Sequence, residues 1–142
     1  MQSNDQSIDQ EQIMQPHIKR ASVPQPRDTI CVTGIREYGY TGALPEEQVL
    51  GQWFEVDVTL WRDLAQAAES DRLQDTHDYR TTIQIVKNII RTQTFALIEA
   101  LAGAIADAIL EHDDIKQVQV RLTKVAAPIP GFSGQITIDI TR

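Results

Sequence analysis

The alternation of apolar and polar positions changes period twice along the chain. Residues 29–36 (TICVTGIR) are rich in β-branched types and predict a strand. Residues 52–62 (QWFEVDVTLWR) alternate strictly, with Phe54, Val56, Val58 and Leu60 on one face, as in a half-buried strand. The period then lengthens. Ile83, Val86, Ile89 and Ile90 recur at helical spacing over 79–91, behind Asp78 as N-cap. A second helix is predicted from about 95 to 111, striped by Phe95, Ile98, Leu101, Ala102, Ile105 and Ile109, with Thr94 as its cap and His112-Asp113-Asp114 as its end. Period two returns over 115–124 through Val118, Val120 and Leu122, and in a last strand through Ile136, Ile138 and Ile140. Between these elements, Gly39, Gly42, Pro45 and Gly51 mark 37–51 as loop, 63–77 reads as a polar connection, and AAPIPGFSG is a Pro/Gly loop.

The order of long elements is ββααββ. Pairing of neighbouring strands makes the sheet antiparallel, and two apolar helical stripes must cover one of its faces, which is an α+β architecture. A four-stranded sheet leaves two edges with unpaired backbone groups, so oligomerisation by strand pairing is expected. Residues 1–27 differ in kind. They hold six glutamines, no aromatic residue and no sustained period. Such a segment buries too little apolar surface to offset its ordering entropy, so it reads as a disordered tail before a single domain at 28–142.

Charge and cysteine content narrow the function. Asp5, Asp9 and Glu11 balance Lys19, Arg20 and Arg27 in the tail, so the net charge of −7 belongs to residues 28–142. Neither nucleic acid nor an anionic membrane surface is an expected partner of such a chain. No apolar run approaches the ~20 residues that span a bilayer. The N-terminus lacks a secretory pattern. A cytoplasmic location is expected. The single cysteine, Cys31, lies in the apolar run Ile30-Cys31-Val32 and reads as a small buried strand residue.

The motifs of metal and nucleotide chemistry are missing. There is no CxxC, HxH, HExxH, GxGxxG or GxSxG, and His17, His77 and His112 have no zinc spacing. Chemistry is left to carboxylates, lysine and tyrosine. Glu99 interrupts the apolar stretch FALIEALAGAIA. It is either a solvent-facing residue of an amphipathic helix or a partly desolvated carboxylate that needs a multi-donor partner, such as the amidine-like edge of a pterin or guanine. Lys124 ends an alternating strand and is either a surface cation or a proton-transfer group at the mouth of a site. Tyr79 opens the first helix, and Glu46 and Glu47 follow Pro45 in a loop.

Taken together, these residues stand in a pattern that resembles the dihydroneopterin aldolases across Asp28 to Arg142. The matching pieces are DTI at 28–30, YGYTGALPEEQ at 38–48, GQWFEVDV at 51–58, SDRLQDTHDY at 70–79, LIEALA at 97–102, and VRLTK followed by PIPG between 120 and 131. The resemblance implies the tunnelling fold, a four-stranded antiparallel sheet with two helices, assembled into tetrameric or octameric barrels with sites at subunit interfaces. It implies cleavage of 7,8-dihydroneopterin in folate biosynthesis, without metal or other cofactor, and with possible side epimerisation. Glu99 would anchor the pterin, Lys124 would act in acid–base catalysis, Tyr79 would reach in from a neighbouring subunit, and Glu47 would sit near the lysine and the hydroxylated tail. Ile98 and the backbone around His77 would line the ring pocket. Two departures from the family pattern flank the site: Thr41 stands where many members have histidine, and His77 where many have an apolar residue. A triphosphate-specific epimerase would want more basic residues than these motifs offer, and a non-catalytic pterin-binding scaffold would not need both Lys124 and Tyr79.

Overall fold

The structure, a computed structural model, describes residues 26–142. The expected disordered tail thus lies almost wholly outside the described residues. Four strands form one sheet: β1 (Thr29–Gly39), β2 (Gln52–Trp61), β3 (Gln117–Lys124) and β4 (Ile136–Thr141), in spatial order β1-β2-β3-β4. All three pairings are antiparallel. Helix α1 (Pro45–Leu50) joins β1 to β2. Helix α2 (Ala65–Ser70) and a 3-10 turn (Leu73–Asp75) follow β2 and lead to α3 (Tyr79–Thr92) and α4 (Ile98–Leu110). Among the described residues no helix is long and apolar enough to cross a membrane. The architecture is α+β, as expected, with three short helical segments inserted into the predicted order.

The two long helices pack side by side on one face of the sheet, α3 over β1 and α4 over β3 and β4. The alternating residues of β2 (Phe54, Val56, Val58, Leu60) and β3 (Val118, Val120, Leu122) supply the sheet side of the core. Val86, Ile89 and Ile90 of α3 and Leu101, Ile105 and Ile109 of α4 supply the other. Each such fully buried side chain contributes roughly 1.5–3 kcal/mol. Gly39 permits a close approach, because a Cβ there would lie 2.5 Å from the Ile90 carbonyl oxygen.

In β1 the register slips by one residue. Val32 pairs with Val58 and Ile35 with Val56, so Thr33 and Gly34 together oppose Asp57. Gly34 takes φ 73°, which glycine adopts without steric penalty, and its N–H donates to Asp57 Oδ1 at 2.8 Å. The bulge returns Ile35 to the helix-covered face.

Several expectations need correction. Cys31 is exposed rather than buried. Ile30 and Val32 pack against the core, so the intervening residue must point to the other face, where Cys31 Sγ lies 3.7 Å from Thr59 Oγ1. The expected loop 37–51 instead begins as strand up to Gly39 and contains α1, started by Pro45 at a position that needs no N–H. The connection 63–77 contains α2 and the 3-10 turn. The second long helix starts at Ile98 without any side-chain cap, not at 95 with Thr94. The backbone of Phe95 is otherwise engaged: its N–H donates to Thr41 Oγ1 at 3.2 Å, and its carbonyl accepts from Gly42 N–H at 3.0 Å. By contrast, α3 begins where expected, with Asp78 accepting from Arg80 N–H.

The segment entering α3 is fastened by a polar cluster. His77 is 4% exposed and bridges Asp114 Oδ2 (2.8 Å, through Nδ1) and Thr82 Oγ1 (2.7 Å, through Nε2). Arg62 donates to the same Asp114 oxygen at 2.8 Å and to the Asp75 carbonyl at 3.1 Å. Burial pushes the Asp114 carboxyl upward, but the His77 hydrogen bond and the charges of His77 and Arg62 outweigh it and hold the group below its ordinary value. A carboxyl depressed in the folded state stabilises the fold above its unfolded value, and that contribution disappears as pH falls through the folded value. Asp114→Asn is therefore expected to cost about 1–2 kcal/mol at neutral pH, discounted for partial exposure. The gap to the parent should close as pH drops below 3.8, the ordinary value for this group. Urea unfolding of both proteins at neutral and acid pH measures this; a gap independent of pH would contradict it.

Candidate active site

Helix α1 carries Glu47 toward the end of β3, where Lys124 pairs in register with Phe54. Lys124 Nζ donates to Glu47 Oε2 at 2.9 Å. The side chains are 13% and 9% exposed, so this is a largely dehydrated ion pair rather than a surface contact. Gln52, the first residue of β2, donates from Nε2 to the same Glu47 oxygen and to the Thr41 carbonyl, both at 3.3 Å. Gly42 makes room for the carboxylate, since a Cβ there would fall 1.7 Å from Glu47 Oε2. Gly51 closes α1 at φ 70° and donates to the Glu47 carbonyl at 2.9 Å. A mainly apolar cavity of about 160 Å³ opens beside the pair, walled by Leu44, Glu47, Leu50, Gln52, Ala126 and Pro128.

The start of α4 is tied to this end of the sheet by the Phe95 bonds to Thr41 and Gly42. Ile98 is buried at 7% exposure, and Glu99 sits in the first turn of α4, where the helix dipole favours a carboxylate. Glu99 is exposed, so of its two readings the solvent-facing one describes this chain.

Tyr79 and His77 lie at the other end. Tyr79 is 54% exposed and borders a shallow groove with Ile30, Leu64, Leu73 and Thr76. Ile30 pairs with Leu60, six residues along β2 from Phe54, the partner of Lys124. Six strand residues span about 20 Å. One chain therefore brings Glu47 and Lys124 together, with Ile98 and Glu99 on the neighbouring helix start, and leaves Tyr79 and His77 apart from them. The His77 ring is committed to Asp114 and Thr82. Of the two departures from the family pattern, Thr41 is fully buried and joins the Phe95 segment to the Gly42 turn, and His77 anchors the entry to α3. Among the described residues, no three His, Cys, Asp or Glu side chains converge as a metal site.

Sequence reasoning passed over Gln52, Arg62, Thr82 and Asp114. Gln52 lies inside the GQWFEVDV motif, which was a signal of position but not of partner. Asp114 read only as part of a helix end.

The dihydroneopterin aldolase family profile matches residues 30–141. A "Probable dihydroneopterin aldolase" of Synechocystis sp. is 56% identical over 115 residues, covering 81% of this chain and 98% of the relative. The dihydroneopterin aldolase of Staphylococcus epidermidis is 41% identical over 116 residues, covering 81% of this chain and 96% of the relative. Among solved structures, the dihydroneopterin aldolase of Burkholderia thailendensis bound to guanine superposes with a TM-score of 0.67 at 25% identity, covering 81% of this chain and 89% of that one. The motifs, the sheet topology and these matches agree: the chain belongs to the dihydroneopterin aldolase family, and its activity is that of an aldehyde-lyase of folate biosynthesis.

Proposed function

We propose that this chain cleaves 7,8-dihydroneopterin with Lys124 and Glu47 of one subunit and Tyr79 of a neighbour, while Glu99 holds the pterin. The observation that carries the reading is the dehydrated Glu47–Lys124 pair at 2.9 Å beside an apolar cavity. A base removes the proton of the C2′ hydroxyl. The C1′–C2′ bond breaks, its electron pair moves into the ring imine, and the C2′ carbon leaves as the carbonyl of glycolaldehyde. A proton returned to C1′ converts the enamine to 6-hydroxymethyl-7,8-dihydropterin. The substrate is its own electron sink, so the protein need only move protons, and Lys124, Tyr79 and a water suffice. Release and recapture of the same proton and carbon fragment would also permit side epimerisation at C2′.

Glu99 presents a carboxylate that can accept two N–H bonds from the pterin edge. Ile98 and, from the neighbouring subunit, the backbone beside His77 supply apolar and polar walls for the ring. The guanine in the Burkholderia thailendensis structure offers the same pattern of ring donors. A neighbouring subunit is needed because Tyr79 is far from Lys124 within one chain. β1 and β4 are the free edges of the sheet, and pairing β1 of one copy with β4 of the next would close a tetrameric barrel, which could stack to an octamer. Residues 28–142 form the catalytic unit in this reading, and residues 1–27 are dispensable.

Glu99→Ala is expected to weaken binding of 6-hydroxymethylpterin at least ~100-fold, since each charge-assisted bond in a dehydrated site contributes roughly 1.5–3 kcal/mol. Lys124→Ala should lower kcat by about 10²–10⁴ while product affinity stays within roughly tenfold. Equilibrium binding and single-turnover kinetics read both; normal turnover by Lys124→Ala, or normal binding by Glu99→Ala, would remove that residue from its role.

The sharing of sites between subunits has its own test. Tyr79→Ala and Lys124→Ala should each be nearly inactive alone. Co-expressed, they should form hybrid oligomers in which some sites hold both native groups, and activity should return. Hybrids verified by native mass spectrometry that stay inactive would place Tyr79 outside the shared site.

Deleting residues 1–27 should leave melting temperature, oligomeric state and turnover close to those of the full chain. A truncated protein that dissociates or loses activity would show that the tail is part of the working unit.

A further inference from the structure

Gln52 occupies an unusual position in the hydrogen-bond network of this site. Its Nε2 faces two acceptors, Glu47 Oε2 and the Thr41 carbonyl, each at 3.3 Å. Its Oε1 is shut from solvent and has no donor among the described residues. Rotating the amide by half a turn does not repair this, because it would set Oε1 against the same two oxygens. The two acceptors therefore select one orientation of the amide, and that orientation leaves a buried acceptor unpaired. Buried polar atoms are nearly always satisfied, and an unsatisfied one costs stability. An amide that donates to a dehydrated carboxylate while its own oxygen has no donor among the described residues points to a role in the site rather than in the fold.

We propose that Gln52 is a positioning residue that acts through Glu47. Its N–H holds the carboxylate so that a single oxygen, Oε2, meets Lys124, and it ties that carboxylate to the Thr41 backbone and hence to the Phe95 segment that precedes Glu99. The amide also gives Oε2 a second donor besides the ammonium, so the carboxylate keeps a hydrogen bond while Lys124 gives up and regains its proton. Gly51 sets the side chain's direction by turning the chain from α1 into β2 immediately before it. Gln52 does not anchor the pterin. The inference rests on the assignment of Glu47 and Lys124 to the site made above.

Two substitutions of similar length test it. Gln52→Met removes the donor and the unpaired acceptor together. It should melt near the parent, lower kcat on 7,8-dihydroneopterin by about 10- to 100-fold, the loss of one bond to a charged group, and leave the affinity for 6-methylpterin, which has no hydroxylated tail, within about threefold. Gln52→Glu sets a second carboxylate against Glu47. Like charges at this distance disfavour simultaneous ionisation, so the acid limb of the kcat/KM profile should rise by at least about one pH unit. A residue with only a structural role would not move that limb. Lys124→Ala is assayed alongside. If it turns over like the parent, the assignment of the ion pair fails, and the inference with it. If Lys124→Ala is impaired while Gln52→Met keeps the parental kcat and Gln52→Glu the parental acid limb, the assignment stands and the role of Gln52 is refuted. Parallel loss of kcat and of 6-methylpterin affinity in Gln52→Met refutes it as well. Should Gln52→Met not fold, the acid limb of Gln52→Glu decides alone.

Discussion

A lysine and a glutamate 77 residues apart in sequence meet at 2.9 Å with almost no water around them, and the loops at this end of the molecule are arranged to allow it. Dehydrating two charges is expensive, and their attraction recovers the cost only when geometry is good and further hydrogen bonds are made. Here the further bond comes from Gln52, the space from Gly42, and the turn that aims Glu47 from Pro45 at one end of α1 and Gly51 at the other. The position of Lys124 depends in turn on the register of β3 against β2. A slip of one residue would turn Lys124 to the opposite face, away from Glu47. A pair of this kind contributes little net stability, but loss of one partner strands a charge and costs about 3–5 kcal/mol. It therefore specifies how loop and sheet meet more than it holds them together.

The bulge in β1 serves the same end. If Thr33 and Gly34 paired in regular alternation instead of bulging, the strand beyond them would present its alternate side, and Glu37 and Gly39 would leave the face covered by α3. Gly39 could not then lie against Ile90, and the 40–44 segment would not reach Phe95. The chain of contacts from bulge to Gly39, Thr41, Phe95 and Ile98 links the sheet edge to the start of α4. Thr41 is the narrowest part of that chain. It is fully buried, and a short hydroxyl side chain spans the gap to the Phe95 N–H. The opposite end of the sheet is organised separately, by His77, Asp114, Arg62 and Thr82, around the entry to α3. Tyr79 follows directly from this anchored segment, so its exposed ring stands on a rigid base.

Hydrophobic period identified β2, β3, β4 and the two long helices, because it records which side of each element meets the core; β1, whose alternation the bulge breaks, was marked by its β-branched residues. Asp78 as the start of α3 was equally local, since a cap bonds within a few residues of itself. The family was legible because its motifs recur as contiguous strings, and Glu47 and Lys124 were legible through them. Cys31 was misread although its parity was available: Ile30 and Val32 claim the inner face, so their neighbour cannot.

Partner choice was not legible. Arg62 and Asp114 are 52 residues apart, His77 and Asp114 37, and Thr41 and Phe95 54. The start of α4 three residues late is the plainest case. The local pattern favours a helix from 95, but the Phe95 backbone is taken by Thr41 and Gly42, and only the folded sheet brings those groups within reach. Periodicity determines the face that a residue occupies. Strand register and loop closure decide what it meets there, and through this the tertiary structure joined Glu47, Lys124 and Gln52 into one polar cluster and set Tyr79 of the same chain apart from it.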